Sequence, residues 1–330
     1  MRKTIIKISN HLVMSECHTS SIGLANGKMG IALYMYYASR ILNCKPYRDL
    51  ADSLVDSIFH DLKTCQDLLF FNGITGISMG LSSLIRDEFI EPEANDLFID
   101  MDRKMYLEAR QRKINDFTED FSVFSFGLYL LNRVANTDFN LKMGVPLDEA
   151  INVALSICEE MYARYFIFDT KSIIYTNSVL YFLINLSKNK EYKQRASSII
   201  ELIVAKIIIA MKNDPKLIHR LGTTLTIAKA IDKANIISNR LPQIAHRLSK
   251  KVMQVDIQDD LDIDLTKSWE GLLFCPLYEH NLNSNNVNNW LNNIDLFSDK
   301  QKLVDIDLRN LILCGLYNIK NSNHAKLLSL

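Results

Sequence analysis

The chain has 330 residues, 48% of them apolar and 23% charged, with Lys plus Arg equal to Asp plus Glu at 38 each. These proportions exclude a disordered or fibrous chain, and the charge balance removes any overall field that would draw the protein to nucleic acid or an anionic membrane. Partners must therefore be recognised locally. At the N-terminus, Met1 to Ile8 is basic, but Lys7 and Asn10 interrupt the apolar run that an export signal needs, so the expected location is cytoplasmic. The longest apolar window, Ile199 to Met211, contains Glu201 and Lys206 and is too short and too charged to predict a membrane span. Six cysteines, at 17, 44, 65, 158, 275 and 314, include no C-x-x-C pair, which in a reducing compartment predicts free thiols acting mostly as small apolar residues.

Apolar residues recur every three or four positions along most of the chain, so the predicted elements are helices. Ile31, Leu33, Tyr34, Tyr37, Ala38 and Ile41 form one stripe. Leu50, Leu54, Ile58, Phe59 and Leu62 form a second, with Asp49, Asp52, Asp56 and Lys63 on its polar side, and the two make a helical hairpin. Further helices are predicted over 77–85, 93–112, 124–134, 146–165, 179–186, 192–211, 224–233 and 241–253, with several short ones after Trp269. The segment from Lys171 to Tyr175 reads as a short strand, and is the main exception to an all-α fold.

The motif beginning Gly27-Lys-Met-Gly30-Ile is echoed by Gly73-Ile-Thr-Gly76-Ile, a spacing of 46 residues that accommodates two helices and their loops. Weaker echoes fall at Ser125, Ser178 and Gly222, then around Trp269-Glu-Gly271, with a degenerate copy around Leu308 to Gly315. Each copy is a turn with small residues, an apolar helix and a longer amphipathic helix. A helix apolar all round belongs inside and one with a charged face belongs outside. Inner helices are expected to start near Ile31, Ile77, Ser125, Ser178 and Thr223. An open solenoid is the rival arrangement, but the long period and strongly apolar inner helices favour closure. The expectation is one domain over 1–330, an all-α, α/α toroid: a barrel of six to seven helical hairpins.

The stretch Gly23-Leu-Ala-Asn-Gly27-Lys-Met-Gly30-Ile-Ala-Leu, with Phe71-Asn-Gly73-Ile-Thr-Gly76-Ile one period later, resembles lanthionine synthetase C-like (LanC-like) proteins. The resemblance is specific in the first two repeats and rests on spacing after about residue 115. It implies an α/α toroid. In catalytic members, two cysteines and a histidine hold a zinc that activates a peptide thiol for addition to a dehydrated Ser or Thr. A catalytic zinc needs such N and S donors and one open position. In this register the first cysteine position is Arg220, two residues before Gly222, and the Cys-His position is Trp269-Glu270, directly before Gly271. All three ligands are missing, so no cofactor is expected. A rival register puts Cys275 at the sixth-repeat cysteine but leaves Pro276 at the histidine position and Leu277 at the glycine.

Other constellations are weaker. Glu270, Cys275 and His280, with Cys314 or His219, could form a rearranged metal site, although Cys-x4-His is not a diagnostic spacing; Cys17-His18 is equally unspecific and reads as part of a surface tail. No Gly-x-x-x-x-Gly-Lys-[ST] phosphate loop occurs. Asp116, Glu119, Asp120 and Glu270 could supply the paired carboxylates of a toroid glycosidase, against the plain reading that loop carboxylates are solvated. Arg220 and Glu270 could instead face each other as an ion pair where a metal would otherwise sit. The leading expectation is a zinc-less pseudoenzyme candidate of lanthipeptide-type maturation. It would bind a peptide substrate or a modifying-enzyme partner through a mouth lined by Asn26, Lys28, Asn72, Thr75, Asn177, His219, Arg220, Trp269 and Glu270. An active cyclase with a rearranged zinc site, a glycosidase and a structural scaffold within a modifying complex are the alternatives.

Overall fold

The computed structural model describes residues 2–16, 19–91, 95–111, 124–135, 144–165 and 172–213, together with 308, 311, 312, 315, 316 and 319. All regular structure among them is helical, with no strand. The chain divides into two compact units, Met1–Ala94 with Ser268–Leu330, and Asn95–Lys267.

The first unit holds α1 (Arg2–Glu16), α2 (Lys28–Leu42), α3 (Lys45–Leu62) and α4 (Ile74–Arg86). Helix α2 is buried without a break from Met29 to Ser39, and α4 from Ile74 to Ile85. Helix α3 buries only Ala51, Leu54, Val55, Ile58 and Leu62, one face at helical spacing. The expected division into an enclosed inner helix and an amphipathic outer one therefore holds in this hairpin. Its turn is short because Asn43 adopts the left-handed conformation that ends α2, and Pro46 in the first turn of α3 lacks only an N–H that a helix start leaves unused.

Helix α1 is an element the sequence reading lacked. Ile5, Ile8, Ser9 and Leu12 are buried on one face, and the Tyr34 hydroxyl of α2 donates to the Ile5 carbonyl at 2.8 Å. The far end of the chain packs here too. A Cβ built on Gly315 would lie 2.6 Å from the Tyr34 ring and 3.2 Å from Ile8 Cγ2, and one built on Gly30 would lie 3.0 Å from Ile312 Cγ2. Residues 308, 311, 312, 315, 316 and 319 are helical, and all of them but the half-buried Leu308 and Gly315 are buried apolar side chains.

The second unit holds α5 (Asn95–Gln111), α6 (Ser125–Ala135), α7 (Leu147–Glu160) continued by a π-helical turn (Met161–Tyr165), α8 (Ser172–Leu186) and α9 (Lys193–Asn213). Helix α6 packs on α7 and α8, α9 lies against α7 and α8, and α5 packs on α7. Segment 171–175, expected as a strand, is corrected where it is described: residues from Ser172 onward are the first turn of α8. Its Ile, Ile and Tyr favour strands only weakly, and packing decides such short apolar runs. One buried ion pair organises this unit. Asp102 of α5 accepts from Arg133 Nε of α6 at 2.9 Å, from Arg133 Nη2 at 3.1 Å, from the Tyr129 hydroxyl at 2.8 Å and from the Gly144 N–H at 2.9 Å. Both charges are about 1% exposed, and the guanidinium also stacks over Phe98 at 4.8 Å. Four bonds to one carboxylate are what make a buried charge tolerable.

Candidate functional site: the paired loops at the inner-helix entrances

The two repeats with glycine motifs share the bonds that set the turn into the inner helix. Lys28 N donates to the Ser21 carbonyl at 2.9 Å, and Ile74 N, one period on, donates to the Asp67 carbonyl at 2.9 Å. Ser21 Oγ accepts from Gly23 N at 3.3 Å, and Asp67 Oδ1 accepts from Leu69 N at 2.8 Å, so a short polar side chain sets the same turn twice. A Cβ on Gly30 would meet the Leu24 carbonyl oxygen at 2.0 Å, and one on Gly76 the Phe70 carbonyl oxygen at 2.0 Å. The small residues are there because the loop backbone crosses the first helical turn at a distance that no side chain permits.

These bonds also correct the expected helix starts. Three inner helices begin at Lys28, Ile74 and Ser172, with Gly27 and Gly73 as the N-cap residues of the first two, rather than at Ile31, Ile77 and Ser178, while α6 starts at Ser125 as expected; Thr223 lies outside the described residues. The loop carbonyls seven residues back bond the first-turn N–H groups, which lets each of the first two helices begin a turn early. Met29 N and Gly30 N likewise donate to the Ile22 and Gly23 carbonyls at 3.3 and 3.4 Å. The N-terminus of α2 thus has its donors engaged by its own loop and is not a phosphate or carboxylate site of the kind an open helix end provides.

The two loops brace each other. Ala25 N donates to the Phe71 carbonyl at 2.9 Å, and a Cβ on Gly23 would lie 2.4 Å from Asn72 Cα. Asn26 and Asn72, one period apart and both half-buried, flank this contact. Each holds its carboxamide Oδ1 enclosed and without a hydrogen-bond partner among the described residues. Of the expected mouth residues whose side chains are described, these two keep an unengaged polar group. Lys28 turns to the outer helix, donating to Ser57 Oγ at 2.7 Å and to Asp61 Oδ2 at 3.1 Å. Thr75 is fully buried, its hydroxyl bonded to the Leu68 carbonyl at 2.8 Å, and holds the loop shape. Asn177 lies on α8, while His219, Arg220, Trp269 and Glu270 lie outside the described residues, as do Cys17, His18, Cys275, His280, Cys314, Asp116, Glu119 and Asp120.

The opposite end of these helices is closed. Arg40, in the last turn of α2, stacks over Phe89 at 3.6 Å and donates to the Asp87 carbonyl at 2.6 Å, while the Tyr37 hydroxyl donates to the Asp87 carboxylate. Arg48 reaches the Phe89 carbonyl from α3. Burial raises the Tyr37 hydroxyl far above the ordinary tyrosine range, with the Asp87 bond and charge adding to it, so it stays a neutral donor. In the second unit, Phe124 N, at the entrance of α6, donates to Ser178 Oγ at 2.6 Å, a counterpart of the loop-to-repeat brace in which a side chain replaces the backbone carbonyl.

Among the described residues, no group of three or more His, Cys, Asp or Glu side chains converges to hold a metal, and no helix is long and apolar enough to cross a membrane. The described cysteines Cys44, Cys65 and Cys158 are free thiols, with Cys158 buried and the other two half-buried. No curated protein and no solved structure matches the chain significantly. Residues 19–95, which hold both braced loops and helices α2, α3 and α4, match the family described as Lanthionine synthetase C-like protein, and over this segment the chain is similar to that family.

Proposed function

We propose that the chain is a zinc-less LanC-like protein that binds, or helps to process, a ribosomally made peptide at the loop-bearing end of its inner helices. The observation that carries this reading is a combination. The family's glycine-built entrance loops match over residues 19–95, while in the register read from repeat spacing the family's zinc-donor positions fall on Arg220, Trp269 and Glu270. That donor set does not fit zinc: it offers one carboxylate, an indole N–H that only donates, and a cation that repels a divalent ion. No cyclisation step is therefore assigned to these residues.

Closure of the helical pairs into an α/α toroid, as one domain over 1–330, belongs to the same proposal. It is supported by Ile312 and Gly315, from the last repeat, packing on α2 of the first. In an open solenoid, by contrast, each repeat touches only its neighbours. A peptide substrate or a modifying-enzyme partner is the expected ligand, and the cytoplasm the expected location.

The test is titration of the full chain with a candidate precursor peptide, for wild type, Arg220→Ala and Trp269→Ala. The proposal expects binding to weaken in both variants with melting temperatures unchanged, since a mouth residue supplies contacts rather than core. Unchanged affinity in both would remove the mouth from the proposal and leave the scaffold reading ahead.

A further inference from the structure

We infer that Asn26 and Asn72 read the main chain of a bound peptide, an inference that rests on the peptide-binding reading above. The two residues occupy one and the same position of the repeat, directly before the glycine that opens an inner helix. In both, Oδ1 is enclosed and has no donor among the described residues. An enclosed acceptor without a partner costs stability, and an apolar side chain at either position would avoid that cost. The orphaned acceptor recurs at equivalent positions in loops whose other polar groups are largely matched, which points to a demand absent from the free chain. An unmatched enclosed acceptor calls for an explanation, and a ligand that supplies the donor is one.

The ligand class follows from what the carboxamides offer and what surrounds them. A carboxamide carries an acceptor and two donors, so one Asn can bond both the N–H and the C=O of a single peptide unit. Ionic ligands find no match here. The Lys28 ammonium is held by Ser57 and Asp61, the first-turn N–H groups of α2 bond loop carbonyls, and the Asp67 carboxylate bonds Leu69 N. A neutral, amide-rich strand suits a neutral pair of amides. The Ala25 to Phe71 bond fixes the two loops, and with them the two asparagines, on adjacent repeats. Oδ1 becomes available by rotation about χ2, a torsion with a broad well in Asn. Recognition of this kind ignores side chains, so it tolerates many peptide sequences.

That tolerance makes the test independent of the native ligand. The full chain is titrated with a fluorescent linear peptide rich in Ser, Thr and Cys, and with the same peptide methylated on alternate amide nitrogens. Asn26→Ser and Asn72→Ser are each expected to bind the unmethylated peptide about ten-fold more weakly, what one hydrogen bond is worth. Methylation should weaken wild-type binding and change that of the double variant little. Both variants should melt no lower than wild type, because an orphaned acceptor has been removed. Wild-type affinity in both variants, or a melting temperature that falls along with the affinity, would overturn the assignment of these asparagines while leaving peptide binding in place. A wild-type chain that binds neither peptide would overturn the peptide-binding proposal and this inference with it.

Discussion

Replacing Gly76 by Ala tests the repeat architecture at one of its two tightest glycine contacts. A Cβ at this position would lie 2.0 Å from the Phe70 carbonyl oxygen and 2.8 Å from Leu24 Cβ. A comfortable carbon-to-oxygen contact is about 3.3 Å, so the loop must retreat by roughly 1 Å. It is poorly placed to do so, because Asp67, Leu68, Leu69 and Phe71 all have carbonyls bonded to Ile74 N, Thr75 Oγ1, Gly73 N and Ala25 N respectively. Overpacking of this kind costs about 1–3 kcal/mol, and each hydrogen bond lost adds about 1 kcal/mol. The gain in helix propensity from Gly to Ala returns at most about 1 kcal/mol. The net expectation is destabilisation by about 1–3 kcal/mol, read as a lower urea midpoint by helical circular dichroism, and Val should be worse. Gly30→Ala, 2.0 Å from the Leu24 carbonyl oxygen, should behave the same way. Gly80→Ala is the internal control: the three atoms nearest its Cβ, at 2.7 to 3.0 Å, all belong to the Met29 side chain, and a flexible thioether can move aside where a backbone carbonyl cannot. It should fall within about 0.5 kcal/mol of wild type or be slightly more stable. Equal effects at Gly76 and Gly80, or none at Gly76, would refute the claim that the motif glycines exist to admit the loop backbone.

Other consequences follow from the remaining geometry. Asp102→Ala leaves the Arg133 guanidinium buried without its carboxylate and should cost about 3–5 kcal/mol in urea unfolding. Lys28→Ala removes an ion pair whose side chains are 17% and 39% exposed, and should cost less than about 1 kcal/mol. Native-state alkylation should modify Cys44 and Cys65 well before Cys158, whose buried thiol is pushed far above the ordinary cysteine range, as quantitative mass mapping would reveal. The Arg195 hydrogen bonds hold the Glu159 carboxyl below the usual carboxylate range. A depressed folded pKa means that this contribution is full above the unfolded value of about 4.3 and is lost as the pH falls through the folded one. The stability difference between wild type and Glu159→Gln should therefore be flat at neutral pH and shrink on acidification below that value.

The inner and outer helices of the first hairpin were legible because burial writes itself into periodicity: α2 is apolar all round and α3 on one face only. The 46-residue repeat was legible for the same reason that it is structurally close. Glycine is required where the Leu24 and Phe70 carbonyls cross the next helix, so the pattern survives in the residues. What pattern could not supply was side-chain direction. Lys28 and Thr75 stand in the right loops but point to α3 and to Leu68, and only the bonds they make reveal it. Helix α1 shows in the sequence only through the spacing of Ile5, Ile8 and Leu12, because Arg2, Lys3 and Lys7 give the same stretch the charge of a surface tail. Ser178, at a position whose repeat pattern predicts a helix start, lies inside α8, where its hydroxyl serves the entrance of α6; a small residue can mark a close contact as well as a turn.

The most direct measurement of the central claim is elemental analysis of the purified full chain after dialysis, paired with a thiol-alkylation mass assay on a dehydrated peptide. A zinc-less binding protein is expected to carry far less than one zinc per chain and to form no thioether by itself, because in the proposed repeat register Arg220, Trp269 and Glu270 take the positions of the soft and imidazole donors. One tightly held zinc per chain, lost when Cys275 or His280 is substituted and accompanied by thioether formation, would contradict it and establish a cyclase with a rearranged site.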